Sequence, residues 1–169
     1  MKHVIVLIDN SFSMKSHSSD IIKGLNTFIV RLQSMRDTRD IFLTVMFFSD
    51  KTYYLLKLEN IHKVQPFSID SIPHYGLTFL YDAIEEILDD FIQLSFNIEH
   101  HFFIITDGCD TGSVKSSECV IKDRCENAIK NGWIITHCGV DSGNLGSSVL
   151  DVIVNGVDDL GNLLGGLTI

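Results

Sequence analysis

The chain has 169 residues, of which 45% are hydrophobic and 21% are charged. This length and composition fit one folded domain and exclude an intrinsically disordered protein. The formal net charge of −9 disfavours nucleic acid and anionic membranes as partners, although a net negative charge also serves simply to keep a protein soluble.

No stretch of the sequence looks like a targeting segment or a membrane span. The first apolar run, residues 4–8, is short and leads into Asp9 rather than into a small-residue cleavage site. No other apolar stretch approaches the ~20 residues that span a bilayer. We therefore expect neither a signal peptide nor a membrane partner. We expect a cytoplasmic location, in which the four cysteines are reduced thiols.

Apolar runs and helical spacings predict strands and helices that alternate along the chain. In chain order, we predict a strand over 4–8, a helix that begins at 18–20 and runs to 32, strands over 41–48 and 52–58, a helix over 80–91, a strand over 101–106, a helix over 121–129, a strand over 133–138, a short helix within 144–150, a strand over 152–154 and a helix over 157–164. Residues 59–77 are expected to be irregular, because Pro66 and Pro73 exclude long regular elements.

This alternation predicts a single α/β domain over residues 1–169, with a mostly parallel sheet covered by helices on both faces. The three-residue turn at 49–51 joins two strands into a hairpin, which places one antiparallel strand at the edge of the sheet. In such sheets, ligands bind beyond the carboxyl ends of the strands. Asp9 and Asp107 both follow a predicted strand directly.

Three oxygen-bearing side chains follow the first predicted strand at alternate positions, namely Asp9, Ser11 and Ser13. Alternate residues of an extended chain point to the same side, so the three oxygens can converge beyond the strand tip. Hard oxygen ligands suit a cation such as Mg2+ better than Zn2+, which prefers nitrogen and sulfur. Each residue also has an ordinary interpretation, since serine is common in turns and aspartate caps helices.

Two further residues with oxygen-bearing side chains lie at comparable places in the chain. Thr78 comes just before the predicted helix over 80–91, and Asp107 comes just after the predicted strand over 101–106. The nearby Gly76 and Gly108 allow the backbone to turn sharply or to approach closely. Taken alone, Thr78 could be a helix cap and Asp107 could cap a neighbouring helix.

With these residues, the chain resembles the von Willebrand factor type A domains, which carry a metal-ion-dependent adhesion site. That site has an Asp-x-Ser-x-Ser loop, a distant Thr before a helix and an Asp after a central strand. The matching residues are Asp9, Ser11, Ser13, Thr78 and Asp107. The resemblance covers essentially the whole chain and implies a three-layer αβα, Rossmann-like fold. Phe12 and Tyr75 stand where the family often has glycine, and neither position supplies a metal ligand.

The resemblance also implies how the site works. Ser11, Ser13 and Thr78 would bind a divalent cation directly, while Asp9 and Asp107 would bind it directly or through water. Mg2+ is the expected cation, with Mn2+ or Ca2+ as alternatives. A water completes the coordination until an Asp or Glu of a partner protein replaces it. We therefore expect an intracellular, metal-dependent protein–protein interaction module and not an enzyme; the identity of the partner and the oligomeric state stay open.

Three alternatives stay open at this point. The first is a Mg2+-dependent hydrolase or phosphatase with Asp9 as nucleophile, although such enzymes usually need an acid two residues on, where Ser11 stands. The second is a structural domain with a vestigial site. The third is a zinc site that combines the cysteines with His101 or His137, although the spacing typical of zinc ligands is absent.

Several polar residues near these motifs have simpler interpretations. We interpret Asp110 as a solvated loop acid and Asp82 as a charge near the positive end of its helix. His100 and His101 precede a strand and are interpreted as a surface pair. Phe12 is expected either to contact a partner or to pack under its loop.

Overall fold

The structure is a computed structural model that describes residues 1–35, 40–73, 76–94, 98–108 and 110–139. Within these ranges, the strands and α-helices are β1 (Lys2–Asp9), α1 (Ser18–Ser34), β2 (Ile41–Phe48), β3 (Thr52–Asn60), α2 (Leu80–Phe91), β4 (Glu99–Thr106), α3 (Glu118–Lys130) and β5 (Ile134–Gly139). Short 3-10 helices cover Ser13–His17, Ile61–Lys63, Ile69–Ser71 and Ile92–Leu94.

The described strands form one sheet in the order β3-β2-β1-β4-β5. Strand β1 pairs in parallel with β2 on one side and with β4 on the other, and β4 pairs in parallel with β5. Strand β3 pairs antiparallel with β2 and forms an edge of the sheet. The predicted mostly parallel sheet with an antiparallel edge strand is therefore confirmed.

Alternate residues of β1 face opposite layers of helices. Val4, Val6 and Ile8 lie in one apolar cluster, which includes the buried side of α1. Ile5 and Leu7 lie in a second cluster, which includes residues of α2 and α3. Because both faces of a central strand are covered, β1 is apolar throughout rather than alternating. The predicted three-layer αβα arrangement is therefore confirmed.

The predicted elements before residue 140 are found; the strand over 41–48 and the helix over 80–91 have the predicted ends, and the ends of the others differ by up to three residues. Helix α3 begins at Glu118, three residues before its first predicted apolar position, because residues 118–120 are exposed and lie outside the buried helical spacing. The region predicted as irregular, 59–77, begins with the end of β3 and holds two short 3-10 helices. The elements predicted within 144–150, 152–154 and 157–164 lie outside the described residues, so the single domain over 1–169 stays a prediction.

The interpretation of His100 and His101 as a surface pair is wrong. His100 is 0% exposed, because β4 begins at Glu99 and places His100 opposite His3 in the parallel register. The ring of His100 lies within hydrogen-bonding distance of His3, with 3.2 Å between their Nδ1 atoms, and stacks on Trp133 at a centroid distance of 4.2 Å. His101 is also buried.

Among the described residues, no helix combines the length and the apolar character needed to cross a bilayer.

Candidate metal centre

Three segments of the chain meet at the carboxyl edge of the sheet. The first follows β1 and carries Asp9, Ser11 and Ser13; the second precedes α2 and carries Thr78; the third follows β4 and carries Asp107. Strands β1 and β4 are parallel neighbours, so their carboxyl ends lie side by side. The predicted site residues therefore come from adjacent parts of one edge.

A chain of hydrogen bonds links four of the five predicted ligands. The backbone N–H of Ser11 donates to Asp9 Oδ1 at 2.7 Å. The hydroxyls of Ser11 and Ser13 are 3.0 Å apart, and the hydroxyl of Ser13 donates to Asp107 Oδ1 at 3.0 Å. Asp9 is 1% exposed whereas Ser13 is exposed, so the cluster is open on the side of Ser13.

The fifth predicted ligand, Thr78, is buried, and the segment that carries it contacts the first loop through Gly76. Ser11 forms an isolated parallel bridge with Gly76, and the N–H of Phe12 donates to the Gly76 carbonyl at 3.1 Å. A Cβ added at Gly76 would clash with the side-chain carboxylate of Asp50, which would have to move to make room for a larger residue. The structure thus brings the Thr78 segment against the first loop.

The spacing and chemistry of these oxygens fit a hard cation. Six ligands at ~2.0–2.1 Å in an octahedron lie roughly 2.9 Å from their neighbours. The Ser11–Ser13 and Ser13–Asp107 oxygen separations, both 3.0 Å, match that edge length. Two carboxylates and three hydroxyls also form the oxygen-only set that Mg2+ accepts.

The electrostatic environment of the Asp9 carboxylate also favours a bound cation. Burial raises the pKa of the Asp9 carboxyl above its usual value, while hydrogen bonds from Thr106 and Ser11 lower it and the nearby Asp107 raises it. The hydroxyl of Thr106 donates to Asp9 Oδ2 at 2.5 Å. A buried carboxylate with a carboxylate neighbour is stabilised in its charged form by a cation.

No group of three or more His, Cys, Asp or Glu side chains within the described ranges is placed to hold a metal. Cys119, Cys125 and Cys138 are free thiols, and the last two are buried. The zinc site that combines cysteines with His101 or His137 therefore finds no support in the described residues. The candidate centre is of a different kind, since three of its five members are hydroxyls.

Several polar contacts at this edge were not anticipated from the sequence. The sequence predicts Thr106 only as a strand residue, whereas in the structure it is buried and donates a hydrogen bond to Asp9. Asp110 is half-buried and has partners within the chain: Oδ1 accepts the N–H of Tyr81 and Oδ2 accepts that of Ser113. Asp82 does more than complement its helix, because it accepts hydrogen bonds from the loop after β4. Thr106 is a polar residue at the end of an apolar run, and this position was the only feature of the sequence that pointed to a role at the edge of the sheet.

The rim of the candidate centre carries apolar side chains. Phe12 is 68% exposed, and Leu77, directly before Thr78, is 57% exposed. Of the two expectations for Phe12, packing under the loop is therefore wrong. An exposed aromatic beside a binding site is typical of a partner contact.

No family model matches the sequence, and a search of the curated proteins found no significant match. Solved structures are similar in fold. Proximal thread matrix protein 1 from the mussel byssus is 17% identical over 98% of this chain and 43% of its own, with a TM-score of 0.66. The ArnB paralog VWA2 from Sulfolobus acidocaldarius is 20% identical over 96% of this chain and 43% of its own, with a TM-score of 0.64. The pilus adhesin SpaC from Lactobacillus rhamnosus GG is 11% identical over 97% of this chain and 29% of its own, with a TM-score of 0.76.

A further structure of the mussel protein has a zinc-occupied MIDAS motif, the abbreviation for the metal-ion-dependent adhesion site. It is 18% identical over 90% of this chain and 39% of its own, with a TM-score of 0.63. The present chain spans less than half the length of each of these solved chains. At such identities the likeness concerns the fold alone. Together with the sheet order and the layers described above, it shows that the chain has the von Willebrand factor type A fold.

Proposed function

We propose that this chain is a metal-dependent protein-binding module. A divalent cation is held by Asp9, Ser11, Ser13, Thr78 and Asp107, and a carboxylate from a partner protein completes its coordination. The observation that carries the proposal is the position of the Ser13 hydroxyl, 3.0 Å from both Ser11 Oγ and Asp107 Oδ1. The zinc-occupied MIDAS motif of a protein with the same fold supports a cation at this edge.

The charge of the centre favours an outside carboxylate. Only two of the five proposed ligands, Asp9 and Asp107, carry a negative charge, and the three hydroxyl ligands add none. A divalent cation held by this set would therefore still attract a carboxylate from outside. Asp9 is buried beneath the loops and Ser13 is exposed, so a partner approaches from the Ser13 side. A partner Asp or Glu would complete the coordination of the bound cation from that side.

Mg2+ is the cation we propose, because the ligand set contains only oxygen. Zn2+ generally prefers nitrogen and sulfur ligands, and no imidazole or thiol belongs to the proposed set. Mn2+ and Ca2+ accept oxygen ligands as well and are the alternatives. An intracellular setting is part of the proposal, and the free thiols of Cys119, Cys125 and Cys138 agree with it.

We propose binding rather than catalysis, because Asp9 is poorly placed as a nucleophile. Its side chain is 1% exposed, and both of its carboxylate oxygens accept hydrogen bonds. The residue two positions on is Ser11, not the second acid that an aspartyl-phosphate enzyme uses.

Isothermal titration with Mg2+ and Mn2+ tests the proposal. We expect the wild-type chain to bind one cation and Asp9→Ala to lose that binding. Asp123→Ala removes the same charge from an exposed position on α3 and should bind as the wild type does. A wild-type chain that binds neither cation contradicts the proposal. Turnover of p-nitrophenyl phosphate that disappears in Asp9→Ala would instead favour the hydrolase alternative.

A further inference from the structure

The loop between β4 and α3 carries the proposed ligand Asp107 and has no helix or strand of its own among the residues described, 107–108 and 110–117. A loop of this kind loses conformational entropy when it is ordered. If the loop were ordered only when a cation binds, that cost would weaken metal binding. The contacts that already hold the loop are therefore important for the site.

Three of these contacts are made by Asp82, in the first turn of α2. Its Oδ1 accepts the backbone N–H groups of Lys115 and Ser116 at 3.0 and 2.9 Å, and its Oδ2 accepts that of Val114 at 3.1 Å. The Asp82 side chain is largely buried. Hydrogen bonds from N–H groups to a carboxylate are stronger than those between neutral groups.

Asp110 makes the reciprocal connection from the loop to the helix. Its Oδ1 accepts the N–H of Tyr81, near the start of α2, at 3.3 Å. Its Oδ2 accepts the N–H of Ser113 at 3.0 Å, and the Ser113 hydroxyl donates to Oδ1. The same hydroxyl accepts the N–H of Asp82 at 3.1 Å. We refer to Asp82 and Asp110 together as the carboxylate clamp.

The carboxylate clamp joins the two segments that supply Thr78 and Asp107. Thr78 lies four residues before Asp82, and Asp107 lies three residues before Asp110. Between them, the Thr78 N–H donates to Thr111 Oγ1 at 3.0 Å, and the Thr111 N–H donates to the Thr78 carbonyl at 2.8 Å. The relative position of two proposed ligands thus depends on contacts made by residues outside the proposed ligand set.

We propose that Asp82 and Asp110 are positioning residues of the metal centre and set its affinity for the cation. The inference rests on the proposed function and adds two acidic residues to it. Both acids act through the backbone, since backbone N–H groups of the loop and of the start of α2 donate to their oxygens. Residues that hold metal ligands in place typically change affinity about 10- to 100-fold when they are replaced.

Asparagine variants test the carboxylate clamp, with titration of Mg2+ and Mn2+ as the readout. Asp82→Asn and Asp110→Asn keep the size of the side chain but replace one acceptor oxygen by a donor. We expect each to bind one cation with a Kd raised about tenfold or more. Asp123→Asn, the matched charge control on α3, should keep the wild-type Kd.

Hydrogen exchange separates positioning from a purely structural role. In the metal-free variants, the amides of 111–116 should exchange faster than in the wild type, and saturating Mg2+ should slow them again. A lowered Tm with an unchanged Kd would show that the carboxylate clamp only stabilises the fold. If Asp82→Asn does not fold, the positioning role is tested with Asp110→Asn and Ser113→Ala instead. These variants remove the hydrogen bonds that Asp110 makes with Tyr81 and Ser113.

The outcomes distinguish this inference from the proposed function. If the wild type binds the cation and the folded asparagine variants bind it within twofold of the wild-type Kd, the positioning role is wrong while the proposed function stands. If the wild type binds neither Mg2+ nor Mn2+, both are wrong. A raised Kd in the asparagine variants with an unchanged control supports the positioning role.

Discussion

The Ser13 hydroxyl contacts two other members of the oxygen cluster. Its hydroxyl lies 3.0 Å from Ser11 Oγ and donates to Asp107 at 3.0 Å, so it connects the loop after β1 with the loop after β4. Its side chain is exposed and contributes little to the core. In the proposed function, a hydroxyl in this position serves the metal centre rather than the stability of the fold.

We therefore expect Ser13→Ala to weaken Mg2+ binding while the free energy of unfolding changes by no more than about 0.5 kcal/mol, as for other exposed substitutions. The affinity should fall at least about tenfold, because one ligand is lost and Asp107 loses its hydrogen-bond donor. Titration calorimetry and urea unfolding measure the two quantities. Ser19→Ala, at an exposed position of α1, is the control and should change neither. Equal Mg2+ affinity in Ser13→Ala and Ser19→Ala would contradict the role of Ser13.

At the scale of elements, the loop between β4 and α3 is packed against the start of α2. A Cβ added at Gly112 would lie 2.4 Å from Cε1 of Phe79 and 3.1 Å from its Cδ1. Phe79 directly precedes α2 and follows Thr78. The absence of a side chain at Gly112 thus allows the loop to approach the helix closely.

Gly112→Ala should destabilise the fold by about 1–3 kcal/mol, because the Phe79 ring has to move. Gly108→Ala is the matched control, since a Cβ there would meet nothing within 4 Å, and Gly108 is not among the positive-φ glycines. Urea unfolding of the two metal-free variants gives the comparison. If both lose the same stability, the close contact of Gly112 with Phe79 does not determine the packing of this loop.

The elements themselves were largely predictable from the sequence, because each central strand is an unbroken apolar run. Strand β4 shows the limit: His100 and His101 are polar, yet both are buried, since His100 pairs with His3 and stacks on Trp133. Such pairing depends on the register of strands far apart in the chain. No local pattern around residue 100 carries that information.

The candidate site, too, was predictable in part. Residue type and spacing, together with the family resemblance, suggested five ligands, and the structure brings their segments to one edge of the sheet. The roles of Asp82 and Asp110 were not predictable, because a carboxylate in a loop or in a first helical turn is usually solvated. Their partners are backbone N–H groups of residues such as Lys115, about thirty positions away. Only the folded chain brings these groups together.

At the scale of the whole molecule, three buried histidines link stability to pH. Burial lowers the pKa of His3 to about 3, with the neighbouring His100 acting in the same direction. Burial lowers the pKa of His100 and of His137 to about 4 each, with His101 adding to the effect on His100. All three are therefore neutral in the folded chain near pH 6.5, where unfolded histidine begins to take up protons.

The free energy of unfolding should therefore be fully retained above about pH 6.5 and should fall as the pH drops towards about 4. Over that range the unfolded chain binds up to three more protons, so the loss approaches about 4 kcal/mol per pH unit. Urea unfolding between pH 7.5 and 4.5 measures it. His137→Leu should reduce the slope by one proton. A stability independent of pH over this range would contradict neutral burial of the three rings.

The central claim is that Asp9, Ser11, Ser13, Thr78 and Asp107 share one cation. The most direct measurement is a crystal structure of the chain grown with Mn2+, in which the anomalous signal of manganese locates the ion. We predict one strong peak at the carboxyl edge of β1 and β4, within about 2.3 Å of the Ser11 and Ser13 hydroxyls. A peak elsewhere, or no peak at saturating Mn2+, would contradict the claim.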